Sequence, residues 1–216
     1  MTELARELVA AGHVLAREGL VAAFGHVSAR TSADTALMTP PRPLGTLDVG
    51  EELAQLLLEA EELPAGVPGE AWIHSAIYRA RPQVSAVCRA QPAAAAAFGV
   101  STTPMLALHG HAAFLGGEVP VHDDARLVRS RELGVQVADR LGDAFAVLLR
   151  GNGAVTVGAT IGEAVARMWV LESSARLNLA AVSLPSAPRP LSDAELTAWS
   201  EVASEVLERI WRALVR

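Results

Sequence analysis

A single three-layer α/β/α or α+β domain is the fold class that this 216-residue sequence predicts. Three observations carry it. Helix-period and strand-period segments interleave without strict β-α-β alternation, which disfavours a doubly wound parallel sheet. Short apolar runs, VSAVCRA, FAVLLRG and AVTVG among them, read as strands covered on both faces. Neither GxGxxG nor GxxxxGK[ST] occurs, so the usual nucleotide-cradling loops are missing.

The elements follow in chain order. Thr2 caps a first helix that runs to about Arg17, with Glu3 in its first turn and an apolar stripe of Ala10, Ala11, Val14 and Leu15. VAAFGHVSART and ALMTPP read as short strands around a turn at Ser32–Asp34. Pro40, Pro41, Pro43 and Gly45 make a rigid loop, and residues 48–60 carry a helix pattern. A strong helix spans residues 70–81, with Ile73, Ala76, Ile77 and Ala80 on its apolar face; Pro82 ends it. VSAVCRA is a buried strand, residues 92–98 a short Ala-rich helix, and Pro104-MLALHGHAAFL is strand-like. After EVPVHD comes a helix at residues 128–141, with Ser130 and Glu132 near its start. FAVLLRG and AVTVG are strands joined by a tight turn at Gly151-Asn152-Gly153, and a long helix covers residues 161–179. The resulting organisation is one domain over residues 1–184, a Pro-rich linker at 185–191, and a C-terminal helix at 192–216. That helix opens on a Ser192–Glu195 capping signature and packs on its own domain or on a neighbouring subunit.

Composition excludes several function classes. All 18 basic residues are Arg, with no Lys anywhere. That removes a Schiff-base lysine, a pyridoxal-anchoring lysine and a phosphate-loop lysine together. A net charge of −6 without basic runs argues against nucleic acid as a partner. Cys88 is the single cysteine, so no intrachain disulfide and no Cys-rich metal site can form. With neither a signal-peptide pattern nor a membrane-spanning run, the expectation is a cytoplasmic protein without a membrane partner.

Three segments place polar side chains where chemistry could happen. In Gly25-His26-Val27-Ser28-Ala29-Arg30 the side chains of His26, Ser28 and Arg30 share one strand face; a surface strand with polar residues outward is the plainer alternative. Glu70 opens a helix and His74 lies four residues on, on the same face. Such a pair can serve acid–base or metal chemistry, or be a capping Glu beside a half-buried His. Arg89 and Gln91 share a face of an otherwise apolar strand, where an Arg is costly unless it is paired or faces a cavity. His109 and His111 form an H-x-H on the strand predicted next, able to bind a metal or to line a polar surface.

The blocks GHVSAR, MTP, GEAWIHSAIYRARPQVSAV, FLGGEVPV, LLRGNGAVTVGATIGEAV and LESSARLNLA together resemble the class II aldolase/adducin family, from about Leu4 to Ala180. The resemblance implies a single α/β/α domain with a central, mainly antiparallel sheet, and homotetramers with active sites between subunits. It also implies a divalent metal, often zinc, held by two strand histidines and a third in a turn, with a helix-start Glu as acid–base. That Glu falls on Glu70. The three ligand positions fall on Arg89, Gln91 and Asn152, none of them His. Arg cannot ligate a metal, and amide oxygens are weak ligands for zinc. The family's late Tyr has no counterpart, since Tyr78 is the only Tyr and sits on a helix. Phosphosugar aldolases of the family carry Asn where His26 stands, and the turn before Glu70 is poor in hydroxyls, which argues against a phosphosugar.

The expected function is therefore a lyase-type enzyme, cleaving a carbon–carbon bond or decarboxylating through an enolate-like intermediate without the usual metal or another cofactor. Arg89 and Glu70 are the expected catalytic residues. His26, Ser28, His74, Gln91, Asn152, His109 and His111 are the expected binders of a small carboxylate or carbonyl substrate. Two alternatives stay open: a non-catalytic binding relative, in which an Arg89–Glu70 ion pair closes the pocket, and a metal-dependent lyase with zinc, manganese or iron displaced onto His109 and His111.

Overall fold

The computed structural model describes residues 2–48, 50 and 52–216. Helix α1 (Glu3–Arg17) leads into strands β1 (His26–Arg30), β2 (Thr35–Met38) and β3 (Ala54–Leu57). Helix α2 (Ala71–Ala80), β4 (Ala86–Ala90) and α3 (Ala93–Gly99) follow, then β5 (Val121–His122), α4 (Arg131–Leu141), β6 (Ala146–Leu149) and β7 (Ala154–Gly158). Helices α5 (Ile161–Ala181), α6 (Asp193–Ser200) and α7 (Ala203–Leu214) complete the chain. The strands form one seven-stranded sheet in the order β3-β2-β1-β4-β7-β6-β5, antiparallel throughout except for the β5–β6 pair.

Alternation along the strands decides what each face buries. Val27, Ala29, Ala86, Cys88 and Ala154 pack with α1, α3, α5 and α7. Ala36, Met38, Val87, Val155 and Val157 pack with α2 and α4 on the other side. The sheet is thus the middle of three layers, as the sequence predicts. Because Arg89 follows Val87 by two residues, it too lies on the α2 face. His26 stands directly across from Arg89 in the β1–β4 register, and Ser28 across from Val87.

Three expectations about elements are corrected. Within the helix predicted over residues 48–60, 54–57 form strand β3, paired along β2 from Thr35↔Leu57 to Met38↔Ala54. Val49 and Glu51 lie outside the described residues. The local composition favours helix, but Leu56 and Leu58 alternate into the core while Gln55 and Leu57 face out, so sheet pairing overrides propensity. The strand expected over 104–115 is an extended segment followed by a 3-10 turn at Gly110–Leu115. Its backbone is satisfied by a side chain rather than by a strand: Leu106 N–H donates to Asn178 Oδ1 (2.8 Å), and Asn178 Nδ2 donates to the Leu106 carbonyl (2.8 Å). His109 and His111 therefore do not share a strand face. The single C-terminal helix is two helices, α6 and α7. Each brings a Trp onto a glycine: a Cβ at Gly110 would sit 1.9 Å from the Trp199 ring, and one at Gly162 2.5 Å from that of Trp211. Both contacts are made with the chain's own domain. The capping box predicted at Ser192 and Glu195 is present.

Candidate active site

The α2 face of the sheet ends in a cavity of about 660 Å³, whose lining includes Phe24, His26, Glu70, Arg89, Gln91, Arg129 and Asn152. Each site residue is delivered by a different local device. Arg89 projects from central strand β4 and is 1% exposed. Asn152 tops the β6–β7 turn between Gly151 and Gly153, both at positive φ. A Cβ on Gly153 would come within 2.2 Å of the Ala90 carbonyl, so only glycine lets this turn close over β4 beside Arg89. Glu70 is the residue before α2 and caps nothing with its side chain, leaving the carboxylate available to the site.

These groups converge. Arg89 Nη2 donates to the Asn152 carbonyl (3.1 Å) and, closely, to its Oδ1. Asn152 Nδ2 donates to Glu70 Oε1 at 2.8 Å. Arg89 Nη2 lies 3.2 Å from Glu70 Oε2, and His26 Nε2 lies 3.9 Å from the same oxygen. Gln91 Nε2 reaches Asn152 Oδ1 at 3.5 Å. Burial works to raise the Glu70 pKa, but His26, Arg89 and the Asn152 donor overcome it and hold the carboxyl at about 2. Glu70 thus rests ionised. Burial of the guanidinium pulls the Arg89 pKa down, and the Glu70 carboxylate opposes that pull.

Behind the cavity, His26 Nδ1 meets His74 Nε2 at 2.7 Å, His74 Nδ1 meets Ser28 Oγ at 2.7 Å, and Ser28 Oγ meets the Tyr78 hydroxyl at 2.8 Å. All four residues are buried. Desolvation keeps both imidazoles below their ordinary pKa; at His26 the Glu70 carboxylate opposes it, while at His74 the His26 and Arg89 charges add to it. Desolvation also pushes the Tyr78 phenol up. Cys88 faces the opposite layer, and burial raises its thiol to about 12, so it is no nucleophile here.

Of the residues singled out in the sequence, Glu70, Arg89, Gln91, Asn152 and His26 line the cavity, with His74 and Ser28 behind them. His109 and His111 do not line it. His109 Nε2 is bonded to Ser174 Oγ (2.8 Å), and the His111 ring stacks on Phe114 and meets Trp199 edge-on. Sequence reasoning missed Arg129 and Phe24, and it set Tyr78 aside. Tyr78 was findable: it lies four residues after His74, hence on the same helix face.

The residues present do not fit the divalent metal that the resemblance implies. Arg89 has no lone pair to offer, its charge would repel a dication, and Asn152 Oδ1 is already engaged by Arg89. Among the described residues no group of three or more His, Cys, Asp or Glu is arranged to hold a metal ion. At His109 and His111, the displaced alternative, one imidazole is bonded to Ser174 and no third His, Cys, Asp or Glu joins the pair among the described residues.

Residues 6–179 match the model of the class II aldolase and adducin N-terminal domain. The chain belongs to that family. The decarboxylase tropJ of Talaromyces stipitatus is 26% identical over 248 residues, covering 98% of this chain and 92% of that protein. The 3,4-dihydroxyphthalate decarboxylase of Arthrobacter keyseri is 30% identical over 210 residues, covering 89% and 84%. Among solved structures, the L-fuculose 1-phosphate aldolase of Glaciozyma antarctica superposes with a TM-score of 0.81 at 23% identity, covering 98% of this chain and 88% of that one. The L-fuculose-1-phosphate aldolase of Thermus thermophilus gives 0.75 at 28% identity, covering 85% and 96%. The family member is a lyase-type enzyme on this scaffold. No helix among the described residues is long and apolar enough to cross a membrane.

Proposed function

We propose that this chain is a decarboxylase of small hydroxylated or keto carboxylates, in which Arg89 supplies the fixed positive charge that other family members obtain from a metal. The observation that carries this reading is the buried Arg89 guanidinium on the cavity floor, within reach of an ionised Glu70 and the Asn152 amide. The decarboxylase names of the sequence relatives support it.

In this mechanism ionised Glu70 removes the proton from a substrate hydroxyl adjacent to the carbon bearing the carboxylate. The resulting oxyanion is held by Arg89. Glu70 returns that proton to the carboxylate-bearing carbon, drawing on the enolate π electrons. The carbon–carboxylate bond then breaks, CO2 leaves, and the bonding pair restores the enolate, which takes a proton from water. Atoms and charge balance across these steps, and Glu70, ionised at rest, can begin them as the proton acceptor once the substrate oxyanion draws Arg89 away from it. Gln91 and Asn152 hydrogen-bond the substrate, and the apolar wall containing Phe24 suits a flat molecule. A cytoplasmic homotetramer with residues 1–184 as the catalytic domain belongs to the same reading.

The test is CO2 release from 3,4-dihydroxyphthalate and from a panel of hydroxybenzoates and β-keto acids. Turnover that Arg89→Ala abolishes, with unchanged circular dichroism, is the expected result. Unchanged turnover in Arg89→Ala overturns the mechanism. A second reading, a binding protein with a silenced site, is favoured by the 3.2 Å Arg89–Glu70 ion pair. The cavity stays open beside that pair. Tight binding of a panel member with no turnover selects the second reading.

A further inference from the structure

The buried chain behind the cavity has a direction, and proton counting fixes it. The Tyr78 hydroxyl is buried and has one hydroxyl partner, Ser28 Oγ. No second acceptor is bonded to it among the described residues, and the Arg30 guanidinium, a donor group, lies 4.8 Å from the ring centre. A buried O–H left without an acceptor costs about 1–3 kcal/mol, so Tyr78 donates to Ser28. Ser28 has one proton and must pass it to His74 Nδ1. With Nδ1 accepting, the neutral His74 ring carries its proton on Nε2 and donates to His26 Nδ1. The neutral His26 ring therefore carries its own proton on Nε2.

The other end of the chain demands the same direction. His26 Nε2 is buried and, among the described residues, has no partner at hydrogen-bond distance. It belongs to the cavity lining and lies 3.9 Å from Glu70 Oε2. A lone pair facing that carboxylate would be repelled, whereas an N–H is attracted. Two independent requirements, a phenol that must give and a carboxylate that must face a donor, converge on one tautomer.

We infer that His26 is a further catalytic residue, a neutral imidazole whose Nε2–H donates to the substrate oxygen on which negative charge gathers, and that Tyr78, Ser28 and His74 are positioning residues that fix this tautomer. The inference rests on the proposed decarboxylation for its substrate but not for its geometry. A neutral donor suits this place: beside Arg89 a second full charge would be repelled, while a fixed N–H adds stabilisation to the oxyanion without reorganising. The class of ligand is a phenolate or enolate oxygen, held jointly by Arg89 and His26.

Two measurements test it. In protein labelled with ¹⁵N-histidine at pH 7, and assigned with His26→Gln and His74→Gln, both rings are expected as neutral Nε2–H tautomers. A proton on Nδ1 of His26, or a charged His26, overturns the proposal. The second measurement uses 4-nitrocatechol, whose absorbance reports its ionisation. Wild type is expected to bind it as the catecholate at a pH where free probe is mostly protonated. Failure to do so also overturns the proposal.

In Ser28→Ala the chain is cut. The tautomer signal of His26 should then split between its two forms, and kcat should fall about tenfold with KM little changed. Tyr78→Phe should act in the same direction but less, since Ser28 can still donate. His26→Phe should lower kcat on the order of 10²-fold. A purely structural role would lower the melting temperature of Ser28→Ala and leave tautomer and kcat alone, and that result counts against the inference. If no carboxylate is turned over, the tautomer and the catecholate still decide the inference. If turnover occurs with His26 in the wrong tautomer, the inference fails and the decarboxylase reading stands.

Discussion

Two of the buried arginines, Arg89 on β4 facing α2 and Arg167 on α5 across the sheet, are treated in opposite ways. Arg167, on α5, donates from Nε to the Phe114 carbonyl (3.0 Å) and from Nη1 to the Val157 carbonyl (2.7 Å) and Glu163 (3.1 Å), while its guanidinium lies over the Phe145 ring at 4.0 Å. Its donors are fixed by backbone that cannot move away. Arg89 contacts Asn152 and Glu70 through one nitrogen, Nη2, and its buried Nε has no partner among the described residues. Arg167 rivets α5 to the sheet, whereas Arg89 keeps donor capacity beside a cavity. A buried charge without a full set of partners is costly, so the chain tolerates at Arg89 what it avoids at Arg167.

The largest effect that separates the two is on turnover. Arg89→Leu is expected to lower kcat/KM by at least about 10³-fold, roughly 4 kcal/mol of transition-state stabilisation, while the folded chain persists. Steady-state CO2 release alongside circular dichroism checks this. Glu70→Gln should fall in the same range, because Gln cannot carry the proton. An active Arg89→Leu enzyme would remove the distinction altogether.

The complementary substitution acts on stability. Arg167→Leu leaves Glu163 without its cation and frees two backbone carbonyls, and should cost about 3–5 kcal/mol in urea unfolding. Turnover per folded molecule should stay within about twofold, the ordinary scatter of a distant site. Lost activity at full stability would place Arg167 in the site and break the comparison.

Much of this contrast was legible in the sequence, and the reasons it was or was not are physical. Arg89 stood out because an arginine inside AVCRA violates the pattern of a buried strand. The family resemblance put Glu70 and Asn152 beside it although they are far apart in the chain. Alternation alone put His26, Ser28 and Arg30 on one face. Arg167 drew no notice, because a helix of period 3.6 always has room for an Arg, and its partners are backbone carbonyls that no sequence pattern marks. The same blindness hid β3, whose Leu- and Glu-rich stretch is helical by propensity and a strand by pairing. It also hid the 104–115 segment, whose backbone bonds to Asn178. The His26–Tyr78 chain needed three dimensions, since its direction depends on which acceptors are missing around a buried hydroxyl.

A third effect is on pH dependence; burial also lowers His109, His111 and His122, so substitution is what isolates the share of the Arg89 side. His26 and His74 are held below the ordinary 6.5 by burial first. The unfolded chain therefore binds protons that the folded chain refuses. Stability is fully present above about pH 6.5 and declines as pH falls, by up to about 1.4 kcal/mol per pH unit for each such His. Glu70, depressed from 4.5 to about 2, acts in the same direction in a lower window, its contribution declining as pH falls through that range. Urea midpoints measured from pH 8 to 5 should show the histidine slope, and His74→Gln should flatten it by about one proton. An unchanged slope in that variant would mean that the buried chain is not what titrates.

The smallest expected effect concerns the carboxylate on the other arginine. Glu163→Gln keeps an oxygen for Arg167 and for the Ala159 N–H that Glu163 accepts, and removes only the charge. Because Arg167 leans on the Phe114 and Val157 carbonyls as well, the loss should be about 1 kcal/mol, a melting shift of a few degrees for a chain of this size. Glu70→Gln is the same chemical change beside the other arginine, yet there it is expected to stop proton transfer. If the two substitutions were equally mild, Glu70 would be one more structural partner of a structural arginine. If Glu163→Gln were as damaging to stability as Arg167→Leu, the backbone carbonyls would not be what holds Arg167. Only a mild Glu163→Gln together with a severe Glu70→Gln keeps a rivet on one face of the sheet and a working charge on the other.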